Sequence, residues 1–328
     1  MKRVLQGTFI VLMAAEVLVV GQGADVSKVL ADLRAALGGD RMAAVKTVAI
    51  EGRSTRSGQN NTSATSDFEM AFELPDKFMK REVIANMNGM EIARRSGFNG
   101  AALIEETDAP MMHGGGGMRI MAMSPGGPMV GGKLTPEQIE AQRQLSLAAN
   151  RREFARLALG LFGTTSAAFP VEFTYGGQAE APDGKADVLD VKGPDGFAAR
   201  LFVDAESHLP LMLSWMDKEP LRVSIGGGPG PGPVMGGGGG TIQVQSRGSG
   251  SPEDAQRLQQ EIAERMKEAE AKRRTVEYRI FYADYQAVSG VKMPARIQRM
   301  VDGFATEELA LEKIKINEKI DAKKFETK

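Results

Sequence analysis

Apolar residues between Asp25 and Leu37 recur as Val26, Val29, Leu30, Leu33 and Leu37, the spacing that puts them on one face of a helix. Gly38-Gly39 follows and supplies a stop, because glycine takes the left-handed conformation without a Cβ clash. The period then changes to two. Val48 and Ile50 alternate with Ala49 and Glu51; Phe68, Met70, Phe72 and Leu74 with Glu69, Ala71 and Glu73; Met90 and Ile92 with Glu91 and Ala93. Such alternation predicts antiparallel strands with one buried and one wet face. Pro75-Asp76 and Asn88-Gly89 are turn chemistry between them, the latter a hairpin signal.

The pattern is interrupted and resumes twice. From Pro110 to Lys133 the chain is rich in Gly, Met and Pro without a steady period, which predicts a loop. Thr135-Pro136-Glu137-Gln138 then carries the signature of a capped helix start. That helix is expected to run to Phe162 with Phe154, Leu157, Ala158, Leu161 and Phe162 as its apolar stripe. Alternation returns between Ala168 and Trp215, in Val171, Phe173, Tyr175 and in Leu211, Leu213, Trp215. Gly226 to Gly240 is low in complexity, and Ser251-Pro252-Glu253 opens a largely charged helix expected to reach Arg274 at or beyond the surface. The last block alternates again: Val276, Tyr278, Ile280, Tyr282, then Val291, Met293, Ala295, Ile297. Leu309 and Leu311 are followed by Ile314 and Ile316, a change of parity that predicts a β-bulge.

The predicted order is helix, four or five strands, loop, helix, four strands, loop, helix, three strands. That is more strand than one flat sheet holds comfortably. The fold class expected is therefore α+β: a strongly curved antiparallel sheet, an open half-barrel, wrapped around or closed by helices. The two Gly-rich segments with their helices, at about 106–165 and 217–274, read as insertions at hairpin tips of a single domain spanning 24–328.

Composition narrows the chemistry. The chain has 328 residues, 41 Lys+Arg against 42 Asp+Glu, two His and no Cys. Disulfide scaffolds, Cys nucleophiles, iron–sulfur clusters and thiolate zinc sites are thereby excluded. The balanced charge argues against a nucleic-acid partner. Met1-Lys2-Arg3, the apolar run Val4 to Val20 and the small residues Gly21 to Ala24 form the three-part pattern of a cleaved secretory signal over residues 1–23. Glu16 argues against a retained membrane anchor. A periplasmic protein with peripheral membrane contact at most is expected.

Gly127 to Lys133 fits a phosphate-loop spacing, but Leu134 stands where Ser or Thr would hold magnesium. Met111, Met112, Met118, Met121, Met123 and Met129 crowd around His113. Thioethers suit Cu(I), yet the same composition also makes an adaptable lid over an apolar cavity, or a plain insertion. Asp204-Ala205-Glu206-Ser207-His208 contains the side chains of a hydrolase triad, but triads assemble in space and no nucleophile elbow is present, so a hairpin turn explains it better. The expectation is a non-enzymatic protein without a cofactor.

Four segments carry a family resemblance: the opening helix to Gly38-Gly39 with Val45-Lys46-Thr47-Val48 and Gly52; Leu201-Phe202-Val203-Asp204 running to His208-Leu209-Pro210-Leu211; Tyr282-Ala283-Asp284-Tyr285 leading to Gly290-Val291-Lys292-Met293-Pro294; and Ile314-Lys315-Ile316-Asn317 running to Phe325. Together they resemble the bacterial outer-membrane lipoprotein-sorting (LolA/LolB-like) superfamily. The resemblance implies an open half-barrel closed by helices around an apolar cavity. It implies binding or carriage of a lipid or the acyl chains of a lipoprotein. No carrier ligand residue maps onto this chain, and its length and two Gly-rich insertions depart from the carriers. The alternative is a cell-envelope scaffold or sensor, docking other envelope proteins, whose half-barrel is filled by its own side chains. Alternation selects Phe68, Met70, Phe72, Leu213, Trp215, Tyr278 and Ile297 as the ligand-lining residues. For Trp215 and Tyr278, core packing and a place at the cavity mouth both remain open.

Overall fold

The computed structural model describes residues 25–57, 63–87, 90–108, 135–181, 184–219, 222–226, 241–245, 264 and 267–327. The signal segment, Asn88-Gly89, the Met-rich stretch with His113, the phosphate-loop spacing, Gly227 to Gly240 and most of the helix expected from Pro252 lie outside them.

Helix α1 (Val26–Leu37) is capped by Asp25, whose carboxylate accepts the amide of Ser27. It buries Val29, Leu33 and Leu37, and ends at Gly38, whose φ of 131° no side-chain-bearing residue adopts comfortably. A short helix α2 (Asp40–Ala43) follows. Five strands come next: β1 (Thr47–Ser57), β2 (Ser63–Glu73), β3 (Lys77–Met87), β4 (Met90–Asn99) and β5 (Ala102–Asp108). Helix α3 (Pro136–Phe162) opens with the expected capping box, Thr135 accepting from the Gln138 amide and Gln138 accepting from the Thr135 amide. The next four strands are β6 (Glu172–Ala181), β7 (Gly184–Lys192), β8 (Ala198–Asp204) and β9 (Pro210–Lys218). A parallel ribbon of β10 (Arg222–Gly226) and β11 (Thr241–Gln245) is separate from the main sheet. The chain closes with β12 (Thr275–Val288), β13 (Val291–Val301) and β14 (Phe304–Ile316).

Twelve strands form one sheet in the order β5-β4-β3-β2-β1-β14-β13-β12-β9-β8-β7-β6, antiparallel at every junction. The sheet is open, with β5 and β6 as its two edges. The parity change in β14 is a bulge: Glu51 faces Lys313 and Gly52 faces Leu311, which leaves Glu312 without a partner on β1. That extra residue keeps Leu309 and Leu311 on the same buried side as Ile316.

One expectation needs correction. The first Gly-rich segment is not at a hairpin tip. It joins β5 to β6, the opposite edges of the sheet, and its helix α3 lies across the inner face, touching β4 and β5 on one side and β9 on the other. Sequence periodicity gives the apolar stripe of α3 but not its destination. That is fixed by which strands pair over a separation of more than two hundred residues, as in β1 with β14.

The inner face and α3 share one core. Phe72, Phe78, Phe98, Phe154 and Phe162 form an aromatic cluster with ring centroids 5.1–6.3 Å apart. The approach of α3 to β12 is close enough that a Cβ on Gly160 would overlap the Tyr282 ring, whose hydroxyl donates to the Arg156 carbonyl at 3.2 Å. On the outer face a second apolar patch, Ala71, Met79 and Ile104, is sealed by Phe325 and Ile320 of the C-terminal segment. Arg95 donates to the Lys324 carbonyl at 2.7 Å and Asn99 to that of Phe325 at 3.3 Å, which holds this segment in place.

Candidate functional site

All seven residues selected by alternation sit on the inner side of the sheet, within or against the core that α3 covers. Phe68, Met70, Phe72, Leu213, Trp215 and Ile297 are buried, and Tyr278 is half-buried against them. Register brings some of them into direct contact. Trp215 faces Tyr278 across β9 and β12, and their rings stack at 5.3 Å and 15°. Leu213 faces Ile280 on the same strand pair. Phe68, Met70 and Phe72 face Gly52, Ile50 and Val48, and Ile297 lies between Tyr282 and Leu309.

The inner face is divided. Phe72, Phe78 and Phe98 lie toward the end of the sheet where α1 and α2 pack. Further along the same strands the same face turns polar, with Ser54 and Arg56 on β1, Lys80 and Glu82 on β3, Arg299 on β13 and Glu307 on β14. Glu307 is the hub. It accepts from Ser54 Oγ at 2.9 Å and Arg56 Nε at 3.1 Å, and pairs with Arg299 at 3.3 Å and Lys80 at 3.8 Å. Burial pushes its carboxyl up, but Lys80, Arg299 and Arg56 together win and hold it down at about 2. Glu82 is likewise lowered, burial being outweighed by Lys80 and Arg56.

Two residues of α3 join this network. Glu153 pairs with Arg299, and that partner outweighs burial to lower its carboxyl. Arg156 stacks on Trp215 at 4.2 Å and lies 3.7 Å from Asp217; burial lowers its guanidinium. So α3 is held to the sheet by rings at one end of the face and by charges at the other. Sequence reasoning missed this network, although a signal existed. Along β1, Val48, Ile50, Gly52, Ser54 and Arg56 share one face, and its apolar character stops at Gly52.

An open apolar cleft of about 230 Å³ lies elsewhere, where α1 and α2 meet the end of α3. Met42, Ala43, Val45, Leu74, Ala158 and Phe162 supply its apolar walls. Arg34 from the last turn of α1 and Thr164, Thr165 and Ser166 from the segment after α3 are its polar members. None of the seven residues selected from sequence borders it. Leu74, Ala158 and Phe162 are legible as apolar from periodicity, but Met42, Ala43 and Val45 and the polar members come from helix ends and connections, where alternation carries no information.

The triad-like segment is a turn. Asp204 accepts the amides of Ser207 at 2.6 Å and Glu206 at 3.2 Å, and the His208 amide donates to the Asp204 carbonyl at 2.9 Å. Among the described residues no cluster of His, Asp and Glu is arranged to hold a metal ion, and no helix is long and apolar enough to cross a membrane.

No protein-family model matches the chain, and no curated protein matches it. Among solved structures it is similar to a LolA superfamily protein from Nitrosomonas europaea, at 10% identity over 93% of this chain and 99% of that one, with a TM-score of 0.45. It is also similar to a DUF1329 family protein from Desulfovibrio piger, at 8% identity over 92% and 98%, TM-score 0.40. A third is an outer membrane lipoprotein-sorting protein domain from Vibrio parahaemolyticus, at 7% identity over 91% and 94%, TM-score 0.39. Likenesses at this level assign neither a ligand nor a partner.

Proposed function

We propose that this protein binds the acyl portion of a lipid or lipidated protein in the bacterial periplasm, without catalysis, and that the cleft between α2 and the end of α3 receives the chain. The observation that carries this reading is the cleft itself: apolar walls, an opening to solvent, and about 230 Å³ of space. Ligand sites for drug-sized molecules run from roughly 300 to 1,000 Å³, so this one suits part of a single chain. Each methylene taken from water contributes about 0.8 kcal/mol. The export pattern of residues 1–23 supports the location.

A second reading has its own observation. Because α3 fills the inner face, the half-barrel can serve as a rigid envelope scaffold or sensor that docks other envelope proteins and carries no lipid. Native mass spectrometry with organic extraction, on protein purified from a periplasm without detergent, separates the two. Acyl binding predicts co-purifying lipid that is lost in Ala43→Trp, a substitution at an exposed wall of the cleft. A clean mass that stays unchanged after incubation with vesicles would overturn acyl binding in favour of the scaffold.

A further inference from the structure

The polar members of the cleft name a class of ligand. Arg34 is exposed, and among the described residues no carboxylate lies within ion-pairing distance of it. Most of the arginines on the strands are paired, as Arg53 is with Glu312, Arg94 with Glu105 and Arg200 with Asp190. Ser166 lies across the cleft, where it also borders a smaller cavity beside Phe98 and Arg151, and its buried Oγ has no hydrogen-bond partner among the described residues. Buried hydroxyls are nearly always satisfied, so an orphan beside a cavity points to an acceptor or donor that completes it. Its neighbour Thr165 is already engaged, donating to the Phe169 carbonyl at 2.6 Å. Among the described residues the cleft thus combines apolar walls, one guanidinium without an ion-pair partner and one unsatisfied hydroxyl.

We infer that the cleft is a site for a single-chain fatty carboxylate. The chain lies against Met42, Val45, Leu74, Ala158 and Phe162, and the carboxylate accepts from Arg34 and Ser166. This rests on the acyl-binding reading and adds the head group to it. The volume of about 230 Å³ argues against a diacyl ligand. A guanidinium matches a carboxylate through two parallel N–H donors, a pairing that a neutral alcohol or ester head does not reproduce.

Equilibrium dialysis below the micellar concentration tests the assignment with radiolabelled palmitate, hexadecanol, monopalmitin and palmitoyl lysophosphatidate. Each is measured on the whole mature protein, on Arg34→Gln and on Ser166→Ala. The expected result is palmitate bound about tenfold more tightly than hexadecanol or monopalmitin. Arg34→Gln abolishes that preference while hexadecanol binding is unchanged, and Ser166→Ala weakens palmitate alone. Equal binding of all four by the wild type, unaffected by Arg34→Gln, would overturn the head-group site and leave acyl binding standing. Tighter binding of the lysophosphatidate than of palmitate would overturn the carboxylate assignment. Binding of none would overturn both.

Discussion

Glu307→Gln tests whether the buried charges act as a connected network. The substitution keeps the shape and one acceptor oxygen, turns the other into an amide donor, and removes the negative charge that Ser54, Arg56, Lys80 and Arg299 surround. A carboxyl held at about 2 in place of its ordinary 4.5 stabilises the fold, since it ionises more readily folded than unfolded. The difference corresponds to on the order of 3 kcal/mol at neutral pH. The sign follows from the direction of the shift. This stability is fully present above pH 4.5 and is lost as pH falls toward 2. Urea unfolding is the suitable assay, because a salt denaturant would screen the charges being measured. At pH 7 the variant should be less stable than wild type by about 3 kcal/mol, in keeping with the roughly 3–5 kcal/mol for removing one partner of a buried pair. Near pH 2.5 the gap should shrink below about 1 kcal/mol, because the unfolded chain now binds the proton and the pH lies within about half a unit of the folded-state value, where most of the linkage has been lost. A gap that stays constant from pH 7 to 2.5 would refute the reasoning and leave Glu307 a packing residue.

Two further substitutions test how the layers are held. Gly160→Ala places a methyl group in the Tyr282 ring and should lower the unfolding free energy by about 1–3 kcal/mol; Tyr282→Leu in the same chain should recover part of the loss, which a helix-propensity effect would not allow. Phe325→Ala removes the ring that seals Ala71, Met79 and Ile104 and should cost about 3–5 kcal/mol, with hydrogen exchange accelerating first in β2, β3 and β5; uniform acceleration would show that the C-terminal segment is not a separate seal.

The parts legible in the sequence are those set by neighbours in the chain. The Thr135–Gln138 capping box, the Gly38 stop and the bulge before Ile314 each depend on a few adjacent residues, and each is found where the pattern puts it. The inner-facing side of most strands is legible too, since a period of two leaves only two choices. The parts that stayed hidden depend on partners far along the chain. Glu307 meets Arg56 across 251 residues, and each reads alone as a charge on a wet strand. Arg34 and Ser166 come to one cleft only because α1 and the end of α3 pack together, which neither segment announces. The same reasoning explains why seven inner-face residues were legible as apolar but not as covered. Alternation reports which way a side chain points, not what lies on top of it.

What lies on top decides where a ligand can enter. An acyl chain reaching Phe68 or Leu213 must displace α3, exposing Phe154, Leu157, Leu161 and Phe162. At about 1.5–3 kcal/mol for each such side chain, and about 0.8 for each methylene that takes its place, a long chain could largely offset that loss. It has nothing to offer the Glu153–Arg299 pair, which is broken when α3 lifts: Arg299 keeps Glu307, but Glu153 loses the partner that lowers its carboxyl. Opening the inner face therefore costs an ion pair that burial of the acyl chain does not return. The cleft beside α2 demands no such separation, since none of its walls belongs to the charge network. An acyl ligand is thus expected at the cleft first, and at the inner face only in a protein whose Glu153–Arg299 pair has been removed.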